Sequence, residues 1–181
     1  METWWSNALW RQFGAAIDML ENVLVACPDS LWRQPVWQDL SDPSQAVEFW
    51  YVPYHALFWL DLYLSGTLEG FAPPPPFTLA ELDPAGALPE RPYTKDELLA
   101  YLVYTREKGH TTLVGMTEEQ ARRPLDFPWA KGKAFSFLEL QLYNMRHVQE
   151  HAAQLSLFLG QHAIPAAPSW VARAPGAADS P

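Results

Sequence analysis

The chain has 181 residues, 49% of them hydrophobic and 14% aromatic, with nine tryptophans. That fits one folded domain with a sizeable core and excludes a disordered chain. A net charge of −9, with only 12 Lys and Arg spread along the sequence, argues against a nucleic-acid partner, and a single cysteine, Cys27, excludes an intrachain disulfide and a multi-cysteine zinc site.

The N-terminal Met-Glu-Thr-Trp-Trp lacks the basic start and apolar run of a signal peptide, and no apolar run reaches membrane-spanning length. The expectation is a cytoplasmic protein with no membrane partner. The first helix is expected over 6–26, where Leu9, Phe13, Ile17, Leu20 and Leu24 recur at helical spacing before Pro28 stops it. Cys27, at that helix end, reads as a small buried hydrophobe rather than a nucleophile. Residues 29–40 read as a loop that packs Trp32 and Trp37 over the domain.

A second helix is expected from Asp42, with Pro43 at its first position and Gln45 completing the start signal, to Ser65, with Gly66 closing it. It is apolar on nearly every side, which places it deep in the domain. Pro53 is expected to kink it just before His55, and Asp61 to support the site from outside or lie on the surface. Residues 67–92, with Pro73-Pro74-Pro75-Pro76, form a long connection: a cover over a cavity or a plain crossover between helices. Thr94-Lys95-Asp96-Glu97 opens a third helix, with Leu98, Leu102, Thr105, Gly109, Thr112 and Leu113 inward and His110 on the flank. Thr117-Glu118-Glu119-Gln120 opens a short helix that Pro124 ends. Residues 125–134 form a link with Trp129 and Lys131-Gly132-Lys133 at its tip. No strand is expected. The domain spans 1–164, and 165–181 is expected to be a flexible Pro/Ala-rich tail.

The last helix, 136–160, organises the rest. Ser136 and Glu139 form a capping box and Gly160 is expected to close the helix. At about 100° per residue, Phe137, Leu140, Asn144, His147, Val148, His151, Gln154, Leu155 and Phe158 share one face, with Arg146 and Gln149 on the far side. The ends of that face are apolar, so its polar middle needs partners. His147 and His151, one turn apart, point the same way and can chelate one divalent cation; two hydrogen-bonded core histidines are the plainer alternative. A third ligand must come from a facing helix. His110 sits on a flank and His162 lies past its helix end, which leaves His55. Asn144, Glu150 and Gln154 are candidates for outer support of the ligands.

Four long helices joined partly by long loops imply an all-α four-helix bundle with a long crossover loop. One histidine in the second helix, in Tyr54-His55-Ala56-Leu57-Phe58-Trp59, and a pair in the last, in Asn144-Met145-Arg146-His147-Val148-Gln149-Glu150-His151-Ala152-Ala153-Gln154-Leu155, resemble the DinB/YfiT-like superfamily over residues 6–160. The resemblance implies a four-helix bundle binding Zn²⁺ or Ni²⁺ through three histidines, often dimeric. It also implies transfer of a low-molecular-weight thiol to a small electrophile, an activity of some characterised members. The proline-rich 67–92 loop and the aromatic second helix depart from the family's pattern.

Two alternatives stay open. His147-Val148-Gln149-Glu150-His151 fits the H-x-x-E-H pattern of a zinc peptidase, with Glu150 as base. A non-catalytic bundle whose metal only staples the helices is the other, although three protein ligands leave a tetrahedral site open, which suits chemistry better. The many aromatic residues lead us to expect a homodimer.

Overall fold

A computed structural model of the protein describes residues 3–39, 42–86, 88–125, 127–130, 135–164 and 170–175. The Lys131-Gly132-Lys133 tip and the Pro165–Pro168 stretch lie outside these residues. Five helices dominate: α1 (Trp4–Ala26), α2 (Tyr51–Ser65), α3 (Lys95–Val114), α4 (Glu118–Arg122) and α5 (Phe137–Gln161). The four long helices pack in a ring, α1 against α3 and α5, and α2 against the same two. Their shared interior holds Phe13, Ile17, Leu20, Leu24, Leu57, Leu60, Leu98, Val148 and Leu155, all essentially without solvent contact. Burying such side chains contributes about 1.5–3 kcal/mol each, which drives the association of these helices.

Local capping sets most helix starts. Thr94 with Glu97, Thr117 with Gln120 and Ser136 with Glu139 all form the reciprocal capping box expected of them. A fourth, Thr3 with Ser6, starts α1 two residues before the expected Ser6. Gly66 closes α2 with φ 66°, in the left-handed region. His110 is exposed, as its flank position implies, although its ring meets Trp10 edge-on at 4.9 Å.

Several expectations are corrected. Residues 42–48 are not the start of α2. They form strand β2 (Asp42–Glu48), paired antiparallel with β1 (Pro35–Asp39) in the segment expected to be loop. Backbone bonds from Phe49 to Gln34 (2.9 Å) and from Trp50 to Trp32 (3.1 Å) continue the pairing up to the helix. Glu48 locks it by accepting from Arg33 (3.1 Å) and Trp50 Nε1 (2.7 Å). A second short pair joins β3 (Pro124–Leu125) to β4 (Phe135–Ser136). Because α2 starts at Tyr51, Pro53 falls in its first turn, where an N–H would have no intrahelical partner. It therefore removes no helix bond and is no internal breaker. Of the two loop tryptophans, Trp32 donates to the Tyr93 carbonyl at 2.9 Å, whereas Trp37 is exposed.

At the other end, Gly160 stays helical. The left-handed residue is Ala163, with φ 56°, and the Ile164 N–H bonds the Leu159 carbonyl at 3.0 Å across the closing turn. The described part of the tail, 170–175, meets α1. Ala174 is fully buried on α1, its N–H bonds the Arg11 carbonyl at 2.9 Å, and Gln12 reaches the Ala172 carbonyl at 3.2 Å. Gly14 makes this possible, since a Cβ there would stand 2.7 Å from that of Ala174. No helix among the described residues is long and apolar enough to cross a membrane.

Candidate metal centre

Two amides on α5 set its register against α2. Gln141 donates to the Tyr63 carbonyl at 2.7 Å, and Asn144, one turn later, to the Leu60 carbonyl at 3.3 Å. One residue advances along α5 as the other retreats along α2, so the helices run antiparallel. One to two turns further on, His147 and His151 arrive opposite His55. Both amides are fully buried, which makes these bonds costly to lose. Asn144 thus sets helix register through its Nδ2, while its Oδ1 is buried with no hydrogen-bond partner among the described residues.

On α2 the half-buried residues are Tyr51, His55, Trp59 and Ser65, the first three at four-residue spacing, and every other position is buried. That stripe faces the histidines of α5. One nitrogen each of His55, His147 and His151 lies within 4.8 Å of the others. His147 Nε2 stands 3.2 Å from His55 Nε2 and 3.1 Å from His151 Nε2.

The outer ring nitrogens determine what the inner ones can do. His55 Nδ1 lies 2.7 Å from Glu81 Oε2, and a carboxylate only accepts, so this Nδ1 carries the proton. His151 Nδ1 lies 2.8 Å from Gln154 Oε1 and donates likewise. Both Nε2 atoms then present lone pairs toward His147. A proton on His147 Nε2 satisfies only one of them, whereas a cation between the rings satisfies all three. A divalent ion with bonds of about 2.0–2.1 Å separates its nitrogen ligands by about 2.9 Å at right angles and about 3.4 Å at the tetrahedral angle. The 3.1 and 3.2 Å separations from His147 lie in that interval, and all three nitrogens are close enough together to hold such an ion. His147 Nδ1 is buried and has no partner among the described residues.

Glu81 is the residue that sequence reasoning missed. It lies in a single 3-10 turn (Ala80–Leu82) of the proline-rich connection. Its side chain is 4% exposed and accepts from His55 and from Trp59 Nε1 at 3.1 Å, with the Tyr51 side chain close by. An acid in a Leu-Ala-Glu-Leu stretch carries no local signal for such a role. The usable signal lay on α2, where His55 and Trp59 share a face near the 67–92 connection. Burial would raise the Glu81 carboxyl, but the hydrogen bond and charge of His55, with Tyr51 and Trp59, hold it below its usual range.

Glu150 is exposed, and its charge reaches His151 without a hydrogen bond to it. Asp61 neither supports the site nor lies on the surface. Six residues beyond His55, it points about 120° away around α2, is fully buried and pairs with Lys108 of α3. Cys27 is buried and its thiol is pushed up to about 12, chiefly by burial, so it is no nucleophile near neutral pH. The chain matches no family model, no curated protein and no solved structure.

Burial, then the charges of His151 and His55, pushes His147 down to about 3; burial, then His55, also lowers His151. An unfolded histidine takes its proton near pH 6.5. Between about pH 6.5 and 3 the unfolded chain thus binds more protons than the metal-free folded one, and stability present above that window is lost as pH falls. Going from pH 7 to 5 is expected to cost the metal-free protein roughly 2 kcal/mol through His147. Urea unfolding at both pH values measures this, and a His147→Asn variant with the same pH slope as wild type would refute it.

Proposed function

We propose that His55, His147 and His151 hold one divalent ion, Zn²⁺ or Ni²⁺, and that the protein is a cytoplasmic, metal-dependent enzyme of the DinB-like four-helix-bundle type. The observation that carries this reading is the convergence of three Nε2 atoms, two of whose rings have their outer nitrogens bonded to Glu81 and Gln154. Three protein ligands leave room for a further one. An ion held there acidifies a small thiol or water, so that the anion exists near neutral pH.

The chain's own residues do the rest. Glu81 and Gln154 fix the tautomers of His55 and His151, which aims both lone pairs inward. Trp59, whose indole meets Trp129 edge-on at 5.2 Å, and Tyr143, stacked on His147 at 6.3 Å, border the cluster with aromatic surface. That surface suits a small apolar electrophile. The reading is transfer of a low-molecular-weight thiol to such a substrate. A homodimer goes with it, for which exposed Trp4 and Trp170 offer apolar surface.

The test is an assay of zinc- or nickel-loaded protein with a panel of small thiols and a model electrophile, beside His151→Ala. Wild type is expected to turn over at least about a hundredfold faster than the variant, since general metal activation is worth several kcal/mol. Equal rates would remove the thiol-activation reading. Peptide cleavage lost on Glu150→Gln would replace it with the peptidase alternative.

A further inference from the structure

We propose that Glu81 is a positioning residue for the metal ligand His55, and that through it metal binding orders the connection between α2 and α3. The inference rests on the metal reading above and adds to it the segment of chain that responds.

Glu81 sits where a carboxylate is costly. Its side chain is 4% exposed, beside the aromatic side chains of Tyr51 and Trp59. Burying a charge there needs compensation. Its partner His55 is one of three imidazoles whose inner nitrogens converge. With neutral rings the buried cluster carries the negative charge of Glu81 alone, and a cation at the Nε2 atoms balances it. Conversely, a carboxylate on Nδ1–H raises the donor strength of the opposite nitrogen and stops the ring from turning. Glu81 Oε2 does this for His55 at 2.7 Å, and Trp59 Nε1, at 3.1 Å on the same oxygen, holds the carboxylate in place.

The link to the connection follows from where it is anchored. Phe77 is buried, its ring stacked on Tyr101 at 4.3 Å, and Tyr93 is buried at the foot of α3. Between them Leu79 and Leu88 are exposed, as are Asp83 to Gly86. Leu82 packs partly against the core, and Glu81 supplies the polar contact to α2. The turn around them is held by short-range bonds, Leu82 N–H to the Leu79 carbonyl at 2.9 Å and Asp83 N–H to the Ala80 carbonyl at 3.0 Å. Such a turn opens easily unless its side chains are held. A cation that strengthens the His55–Glu81 bond therefore holds the turn as well, and by reciprocity the closed turn tightens the cation.

The experiment uses the full chain without a tag. Zn²⁺ affinity is measured by competition with a chromophoric chelator for wild type, Glu81→Gln and Glu81→Ala. Visible spectra of the Co²⁺-loaded proteins and amide hydrogen exchange over residues 78–90, with and without Zn²⁺, are recorded beside it. Glu81→Ala is expected to bind Zn²⁺ about 10–100-fold more weakly. Glu81→Gln, which keeps an acceptor of the same shape, is expected to lie between. The Co²⁺ bands should shift in both variants, because the donor strength of His55 changes, and a merely structural residue would not move them. Zn²⁺ should slow exchange at Leu82 and Asp83 in wild type and not in Glu81→Ala. Wild-type affinity, spectrum and exchange response in both variants would overturn the inference while leaving the metal reading intact. A wild-type chain that binds no Zn²⁺ would overturn both.

Discussion

Replacing His147 with alanine is expected to abolish metal retention, from about one equivalent in the wild-type protein to a trace. His147 is the middle ligand: its Nε2 is the atom within 3.2 Å of both neighbours, so its loss leaves two rings without the nitrogen that bridges them. Losing an outer hydrogen-bond partner of a ligand costs about 10–100-fold in affinity, and losing the ligand itself is expected to cost more. The fold should survive, because the ring is half-buried at the edge of α5 while Val148 and Ala152 beside it form the core. Elemental analysis of protein purified without a tag measures the outcome, with His110→Ala as the control, since that exposed ring lies outside the cluster. One equivalent of zinc remaining in His147→Ala would sink the three-histidine reading.

Lys108→Met is expected to destabilise the fold by about 3–5 kcal/mol, because it leaves a buried carboxylate unpaired. Asp61 has no solvent exposure and accepts from Lys108 Nζ at 2.5 Å and from the Tyr101 hydroxyl at 3.0 Å. Lys108 also reaches Ser65 Oγ at 2.7 Å and the Asp61 carbonyl at 3.1 Å, so one ammonium ties down the last turns of α2. Adding Asp61→Asn to Lys108→Met removes the orphaned charge and is expected to recover much of the loss. Urea unfolding checks both variants; the midpoint should shift with little change in slope. A loss below about 1 kcal/mol for Lys108→Met would mean that water or another group solvates Asp61. The network concerns the centre indirectly: it fixes α2 against α3, while Gln141 and Asn144 fix it against α5, and α2 carries His55.

What the amino-acid sequence determined by itself is what lies within one or two helical turns. Ser136 and Glu139, Thr94 and Glu97, and Thr117 and Gln120 are three residues apart, so each helix start is written in its own residues. His147 and His151 share a direction because 3.6 residues make a turn, whatever surrounds them. His55 could be singled out because it stands in the middle of a strongly apolar helix. The tertiary structure decided what depends on distant partners. Asp42-Pro43 reads locally as a helix start, yet pairing with Pro35–Asp39 makes it strand, and that pairing moves the start of α2 past the hairpin so that Pro53 costs nothing. Gly160 is free to end α5, but the closing turn forms three residues later, at Ala163. Asp61 and Glu81 are both acids near apolar residues, and no local rule separates them. Asp61 faces Lys108, 47 residues on, and Glu81 faces His55, 26 residues back. Burial without water forces each carboxylate onto whichever donor the packed helices bring within reach, and only the packing says which donor that is.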